Sequence, residues 1–255
     1  MHATRNKLIK FSQTLIYSFK HPRLVKNALG DVYSSIAVAE GRVPCGELSD
    51  IVPSGRDIEL KRFEPHVEGN VTVFEVACLS LLVRHLQPSV ILEIGTFNGN
   101  TTLQLAANTP PQAKVYTLDL PWGVSSLDKS DKNDARIAAS ERRRVFRFVG
   151  SDVESKIKCL YGDSLLVNFS DLLEGAKADF IFIDAGHTYE CVKNDTQKAF
   201  SVLKDGGTIV WHDYGGAWPG VYRYLNELSK TKALLNLNET SLVLYQDQNK
   251  REKRR

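Results

Sequence analysis

The chain has 255 residues, of which 42% are hydrophobic and 25% are charged. These are ordinary values for a folded protein, so they exclude a fibrous or fully disordered chain, and the length allows one sizeable core. The formal net charge is only +3, and the basic excess lies at the two ends of the chain. Because a nucleic-acid binder usually carries its basic charge on the folded body, no nucleic-acid partner is expected.

Neither a membrane span nor a secretory signal is predicted. The sequence lacks an apolar run of the roughly 18 residues that a span needs. The best signal candidate, residues 8–19, is interrupted by polar side chains and has no small-residue cleavage site. The four cysteines form no C-x-x-C pair, which indicates reduced thiols and a cytoplasmic protein.

Three parts are predicted along the chain. Residues 1–65 are expected to form a partly helical N-terminal extension, residues 66–247 the main domain, and residues 248–255 a basic, disordered tail. Residues 121–157 interrupt the pattern of the main domain as an insertion, with a charged helix expected over 128–144. Composition does not indicate what the extension or the tail does, and the oligomeric state stays open, with a homo-oligomer as one option.

Apolar spacing from residue 71 onward predicts alternating helices and strands. Helices are expected over residues 71–87, 101–108, 188–203 and 219–230. Strands are expected over residues 89–94, 115–120, 158–161, 178–183, 208–211, 233–237 and 241–245. Because most of these strands are continuous apolar runs between helices, the expected fold is α/β, with a doubly wound, mostly parallel sheet covered on both faces.

Acidic residues stand at the ends of five successive predicted strands. They are Glu93, Asp119, Asp163, Asp184 and Asp213. In an open α/β sheet, ligands bind outside the carboxyl ends of the strands. Solubility alone does not explain five acids at one edge, so we expect the binding site there.

The first of these strands is followed by the turn Gly95-Thr-Phe-Asn-Gly99. Its G-x-x-x-G spacing differs from the G-x-G-x-x-G of dinucleotide sites, and a glycine-poor turn behind Glu93 suits a ligand with an amino group and no phosphate. Asp119 is placed to accept hydrogen bonds from two ribose hydroxyls, although a turn or helix-cap role explains it equally well. Asp163 is placed to meet an exocyclic amine such as that of adenine, but a turn role explains it better.

Five motifs follow one another between residues 71 and 245. They read ILEIGTFNGNTT, YTLDLP, YGDS, FIFIDAGHTYECVKND and LKDGGTIVWHDY. Together they resemble the class I S-adenosylmethionine-dependent methyltransferases, most closely the small-molecule O-methyltransferase branch with catechol- and macrolide-sugar-type enzymes. The resemblance implies a Rossmann-like, seven-stranded sheet whose last strand is antiparallel, with S-adenosylmethionine as the cofactor.

The resemblance also implies which residues bind that cofactor. Residues between Glu93 and Thr101 would hold the methionine part, Asp119 would bind the ribose, and Asp163 with Ser164 would flank the adenine. The full set is Glu93, Gly95, Thr96, Phe97, Asn98, Gly99, Thr101, Asp119, Leu120, Gly162, Asp163, Ser164 and Asp184.

The fourth and fifth strand ends carry the predicted catalytic groups. Asp184-Ala-Gly-His187 places an imidazole three residues after a carboxylate, and His212-Asp213 ends the next strand. Asp184 and Asp213 are expected to bind Mg²⁺ or Mn²⁺, and His187 to act as general base, although a core or capping histidine is the plainer alternative. Metal-dependent members of the family have a similar D-x-x-base turn and acid pair.

His212 departs from the family pattern, because relatives that act on sugars often have Glu-Asp where this chain has His-Asp. Imidazole suits Mn²⁺, Fe²⁺ or Zn²⁺ better than Mg²⁺. The sequence therefore leaves His212 open between a metal ligand, a hydrogen-bond partner of the ligands and a structural residue.

The sequence thus predicts a cytoplasmic methyltransferase that acts on a hydroxyl group of a small molecule or sugar. Three alternatives stay open: an NAD-dependent oxidoreductase on a similar sheet, a non-catalytic nucleotide-binding protein, and a metal-dependent oxygenase. The lack of a G-x-G-x-x-G turn argues against the first, and turnover of any acceptor would exclude the second.

Overall fold

A computed structural model of the chain describes residues 42–62, 69–121 and 145–247. The expected helix over 128–144 and the expected basic tail lie outside these ranges, so both stay predictions. Apart from Arg42 and Gly215–Ala217, the described residues belong to one compact unit. None of the helices in the described ranges is long and apolar enough to cross a bilayer.

Eight strands are found in the described ranges: β1 (Cys45–Gly46), β2 (Val90–Ile94), β3 (Lys114–Asp119), β4 (Ile157–Tyr161), β5 (Ala178–Ile183), β6 (Leu203–Trp211), β7 (Leu234–Leu237) and β8 (Val243–Gln246). They form one sheet in the order β1-β7-β8-β6-β5-β2-β3-β4. Strand β8 is antiparallel to both of its neighbours, and the other pairs are parallel. The predicted doubly wound, mostly parallel fold is confirmed.

The strand count differs from the seven that the family resemblance implies. The additional strand is β1, whose two residues pair in parallel with Asn236 and Leu237 of β7. Asn236 also donates its backbone N–H to the Pro44 carbonyl over 2.8 Å. Sequence periodicity could not show this strand, because two residues are too few for an alternating pattern.

The helices among the described residues are α1 (Val73–Leu86), α2 (Asn100–Asn108), α3 (Phe169–Leu172), α4 (Tyr189–Val202) and α5 (Pro219–Leu228). Short 3₁₀ turns cover Leu48–Asp50 and Glu154–Lys156. The four expected helices that fall in the described ranges begin and end within two residues of their expected bounds. Helix α3 was not predicted. Since residues 154–161 form a 3₁₀ turn and β4, the last residues of the expected insertion already belong to regular structure.

Helix α1 begins where its sequence has a strong start signal. The Thr72 hydroxyl accepts the Glu75 backbone N–H at 3.3 Å, and the Glu75 carboxylate accepts the Thr72 N–H at 3.1 Å. This capping box provides hydrogen-bond acceptors for two backbone N–H groups at the start of the helix, those of Thr72 and Glu75. The helix ends at Gln87, which takes the left-handed conformation before Pro88.

The core lies on both faces of the central strands. Ile91, Leu92, Ile181 and Phe182 of β2 and β5 are all fully buried. Burial of one such side chain contributes about 1.5–3 kcal/mol. Successive buried residues explain why these strands read as continuous apolar runs, and they form a rigid base for the residues that follow each strand.

Candidate active site

The carboxyl ends of five strands lie side by side in the order β6, β5, β2, β3, β4. The residues that follow each strand are joined by backbone hydrogen bonds of 2.8–3.1 Å, from Gly162 to Asp119, Gly95 to Leu118, Asp184 to Ile94 and His212 to Ile183. The five acids that the sequence places after these strands therefore stand along one edge of the sheet.

The chain order reverses between β2 and β5, which is where doubly wound sheets open a crevice for ligands. Gly95 lies at this point with a φ of 103°, in the left-handed region. A Cβ atom on Gly95 would lie 2.0 Å from the Asp184 carbonyl oxygen. Glycine is thus required here, both for the turn and for the close approach of the two strand ends.

A cluster of hydroxyl groups surrounds Glu93 at the end of β2. The Glu93 side chain is fully buried, and its Oε2 accepts hydrogen bonds from Thr102 and from Thr117, the latter over 2.6 Å. The Thr117 hydroxyl also lies 2.6 Å from that of Thr96. We call these four residues the hydroxyl cluster.

Burial raises the pKa of Glu93 to about 8, and the two threonine hydrogen bonds only partly oppose this rise. Asp184 and Asp119 add to it through their negative charges. The other carboxyl oxygen, Oε1, has no hydrogen-bond partner within the described part of the chain. Near neutral pH the cluster therefore holds an uncharged acid.

Asp119 organises the backbone around the first turn. Its Oδ2 accepts the Phe97 N–H at 3.0 Å and its Oδ1 accepts the Leu120 N–H at 2.7 Å. Phe97 has a positive φ of 52°, a backbone conformation that residues other than glycine seldom adopt. The hydrogen bond from its N–H to Asp119 helps to hold this conformation. Asp119 therefore has the turn role that the sequence offered as an alternative. This role does not exclude the binding of a ligand by the same carboxylate.

The glycine turn leads directly into α2. Gly99 is the N-cap, with a φ of 78°, and Asn98 Oδ1 accepts the Asn100 N–H at 3.0 Å. Thr101 lies buried in the first turn of α2, but the hydroxyl that reaches Glu93 belongs to the next residue, Thr102. Thr102 is therefore a site residue that the family resemblance did not indicate.

The turn after β4 is shaped by Asp163. Its Oδ1 accepts the Leu165 N–H at 2.9 Å. The carbonyl oxygen of the next residue, Ser164, accepts a hydrogen bond from the side-chain amide of Asn194 at 3.1 Å. Lys198 Nζ also reaches the Ser164 carbonyl. The structure thus gives Asp163 the turn role that the sequence favoured, next to Gly162 at the edge of the sheet.

A second cluster of charged groups lies at the ends of β5 and β6. Its histidines lie within hydrogen-bonding reach of three carboxylates: His212 Nδ1 is 2.9 Å from Asp184 Oδ1 and 3.4 Å from Asp213 Oδ2, His212 Nε2 is 3.3 Å from Glu75 Oε2, and His187 Nε2 is 2.6 Å from Asp213 Oδ2. We call these five residues the imidazole cluster. It brings together the predicted catalytic and metal-binding residues, and adds Glu75.

The acids and histidines of the imidazole cluster stabilise one another's charged forms. Burial acts to lower the pKa of His212, but Asp184 and Asp213 outweigh it and hold that pKa well above its usual range. Burial acts to raise the pKa of Asp213 and of Glu75, yet their contacts with the histidines lower both below the usual range. Unlike Glu93, these buried acids are ionised.

The donor set of this cluster fits a divalent cation. One oxygen of Asp184, one oxygen of Asp213 and one ring nitrogen of His212 all lie within 4.8 Å of one another. Two carboxylates and an imidazole favour Mn²⁺, Fe²⁺ or Zn²⁺ over Mg²⁺.

His187 is held from two sides. Asp213 binds Nε2, and the imidazole ring stacks on Trp218 with 4.0 Å between ring centroids and 21° between planes. Trp218 is the N-cap residue of α5. The sequence did not indicate the contact between Trp218 and His187, nor that Glu75 belongs to the site. The T-x-x-E capping box marks Glu75 in the sequence, but not its contact with a histidine 137 residues away.

Comparisons with known proteins show what this site resembles. Residues 92–214 match a family model described as a methyltransferase domain. The match spans the ends of β2, β3, β4, β5 and β6, so it covers both clusters except for Glu75, and it confirms the methyltransferase prediction. A search of curated proteins found no match to the chain.

Two solved structures share the fold of the methyltransferase domain. The S-adenosylhomocysteine-bound methyltransferase PaMTH1 from Podospora anserina is 20% identical, with a TM-score of 0.52 over 73% of this chain and 82% of that one. A structure from Staphylococcus aureus, described as a candidate caffeoyl-CoA O-methyltransferase, is 18% identical, with a TM-score of 0.51 over 88% of this chain and 98% of that one. At these identities the likeness establishes the fold.

Proposed function

We propose that the protein transfers a methyl group from S-adenosylmethionine to a hydroxyl oxygen of a small molecule or sugar. The observation that carries this proposal is the imidazole cluster, which lies one strand away from the glycine turn in a methyltransferase domain. A base, a set of cation ligands and a cofactor crevice then meet at one edge of the sheet. The bound S-adenosylhomocysteine of PaMTH1 and the O-methyltransferase description of the Staphylococcus aureus structure support it.

The cofactor would lie over the ends of β2, β3 and β4. When bound, S-adenosylmethionine supplies a sulfonium-activated methyl group, which moves to an acceptor oxygen as the carbon–sulfur bond breaks. The turn between Gly95 and Gly99 would border the methionine part, and Asp119 would accept the ribose hydroxyls. Gly162, Asp163 and Ser164 would border the adenine.

His187 would remove the proton from the acceptor hydroxyl. A neutral imidazole is a suitable base near neutral pH. Asp213, 2.6 Å from Nε2, stabilises the imidazolium that forms, and the stacked ring of Trp218 fixes the plane of the imidazole. Orientation of this kind supplies much of the acceleration in a transfer between two bound molecules.

A divalent cation would be held by Asp184, Asp213 and His212. When bound, it lowers the pKa of an acceptor hydroxyl and so assists deprotonation. Asp213 can meet both His187 and the cation, because a carboxylate oxygen has two lone pairs. The donor set supports Mn²⁺ over Mg²⁺.

We also place the protein in the cytoplasm, as the sequence predicts. The four cysteines all lie in the described ranges and form no disulfide there, and Cys78 and Cys191 are buried. Reduced cysteines in such a chain support a reducing compartment.

The test is formation of S-adenosylhomocysteine from S-adenosylmethionine with a panel of catechols, other phenols and sugars, with Mn²⁺ or Mg²⁺ added. We expect turnover on at least one hydroxyl acceptor, and none on the matched methyl ethers. Cofactor binding without turnover on any acceptor would favour the non-catalytic alternative. Quenching of NADH fluorescence, with no S-adenosylmethionine binding, would favour the oxidoreductase.

A further inference from the structure

Glu75 is a buried carboxylate on α1, outside the part of the chain that matches the methyltransferase family model, yet it reaches into the site. We infer that Glu75 is a positioning residue that binds Nε2–H of His212 and thereby turns Nδ1 toward Asp184 and Asp213 as a cation ligand. The inference rests on the cation site of the proposed function. It goes beyond that function by giving the site a cause for preferring Mn²⁺-like ions over Mg²⁺.

The position of the Glu75 carboxylate is fixed by four donors besides His212. Oε1 accepts the Ser241 N–H at 2.8 Å and the Ser241 hydroxyl at 2.7 Å. Oε2 accepts the Thr72 N–H at 3.1 Å and the Thr72 hydroxyl at 2.7 Å. Because these bonds come from both sides, Oε2 stays directed at His212 Nε2, 3.3 Å away.

This arrangement decides which ring nitrogen can bind a cation. A neutral imidazole carries its hydrogen on one nitrogen and offers the other as a ligand. A carboxylate at Nε2 keeps the hydrogen there. A cation held by Asp184 and Asp213 would therefore displace the proton of Nδ1 and bind the lone pair of that nitrogen. Carboxylates that bind the outer nitrogen of a metal-bound histidine fix its tautomer, and their loss typically costs about 10–100-fold in metal affinity.

A capping role alone does not require this contact. Thr72 and Glu75 already complete the capping box between themselves, and glutamine serves equally well at the third helical position. Glu75→Gln therefore retains the cap while it removes the charge that faces His212. Ser241→Ala is the control. It removes the hydrogen bonds that the hydroxyl makes with Glu75 Oε1 and with the Asp213 backbone N–H, but it changes neither Glu75 Oε2 nor the cation-binding side chains.

The experiment is a titration of the full chain with Mn²⁺, in which binding is measured as the loss of the free-ion signal in electron paramagnetic resonance. A second titration measures competition by Mg²⁺. For the wild-type chain we expect one Mn²⁺ per chain, weak competition by Mg²⁺, and an echo modulation from a bound imidazole nitrogen. Glu75→Gln should raise the Mn²⁺ dissociation constant by about 10–100-fold, reduce the preference over Mg²⁺ and weaken the modulation. Ser241→Ala should stay close to wild type.

The outcomes separate the two proposals. Tight Mn²⁺ binding that is the same in Glu75→Gln and in wild type would overturn the role of Glu75 and leave the cation site intact. No Mn²⁺ binding by the wild-type chain would overturn both. Glu75→Asp serves if the first variant does not fold: it keeps the charge but retracts the carboxylate by one carbon, so an unchanged Mn²⁺ affinity would also contradict the inference.

Discussion

The hydroxyl cluster and the imidazole cluster use buried carboxyl groups in opposite charge states. Glu93 faces threonine hydroxyls and other acids, and burial raises its pKa to about 8. Glu75 and Asp213 face imidazoles, which lower the pKa of each despite burial. Glu93 and Glu75 are both buried, at 0% and 4% exposure, and burial acts to raise the pKa of each. The difference in their charge states therefore follows from their neighbours, since an imidazole opposes burial only at Glu75.

This difference indicates a division of roles along one sheet edge. An uncharged acid among hydroxyls suits hydrogen bonding to a bound molecule, whereas ionised acids around imidazoles suit cation binding and proton transfer. The two clusters touch through Gly95, whose backbone packs against Asp184. If the division is real, substitutions in one cluster should change binding and those in the other should change turnover.

The largest effect is expected for His187→Ala. Removal of a general base typically lowers the rate by about 10²–10⁴-fold. Affinity for S-adenosylmethionine, measured by calorimetry, should change little, because His187 belongs to the imidazole cluster. An equal loss of turnover and of cofactor affinity would show that the two clusters do not separate binding from turnover, and it would refute the role of His187 as base.

A smaller effect, on the affinity for S-adenosylmethionine, is expected for Asp119→Ala. Loss of hydrogen bonds to a charged group costs about 1.5–3 kcal/mol, which weakens cofactor binding by about 10–100-fold. Turnover at saturating cofactor should fall much less than in His187→Ala. Circular dichroism is the control, since Asp119 also holds Phe97 and Leu120, and an unchanged affinity in a folded variant would refute the ribose role.

The effect that is smallest per step measured, one pH unit, concerns stability and is expected for Glu93→Gln. Because the folded-state pKa of Glu93 is raised from 4.5 to about 8, its contribution is fully present below pH 4.5 and is lost as the pH rises toward 8. One proton gives a slope of at most about 1.4 kcal/mol per pH unit in this window. Urea unfolding between pH 5 and 8 should show a shallower fall in Glu93→Gln, and equal slopes in both proteins would contradict the raised pKa.

Much of the fold follows from local patterns. Apolar runs flanked by turns located seven strands, and the capping box and Pro88 located α1. The strand β1 and the helix α3 escaped because Cys45–Gly46 and Phe169–Leu172 are too short to show a period. The domain bounds at residues 65 and 247 and the roles of the site residues stay predictions.

The sequence also placed the acids of the site, because strand ends are visible as the limits of apolar runs. It could not supply the contacts that set their charges. Glu75 meets His212 across 137 residues, and Thr117 reaches Glu93 from a neighbouring strand. Such contacts depend on the strand order β6-β5-β2-β3 and on the packing of α1. Local residue spacing predicts neither of these.

The proposed function requires that the crevice beside the hydroxyl cluster binds S-adenosylmethionine, separately from any cation. Titration calorimetry of S-adenosylmethionine into the full chain in EDTA, repeated with Mn²⁺ or Mg²⁺, tests it most directly. We expect micromolar binding of one molecule per chain in EDTA, with a change in heat when the cation is added. No binding under either condition would contradict the account and bring NAD(H) forward as the ligand to test.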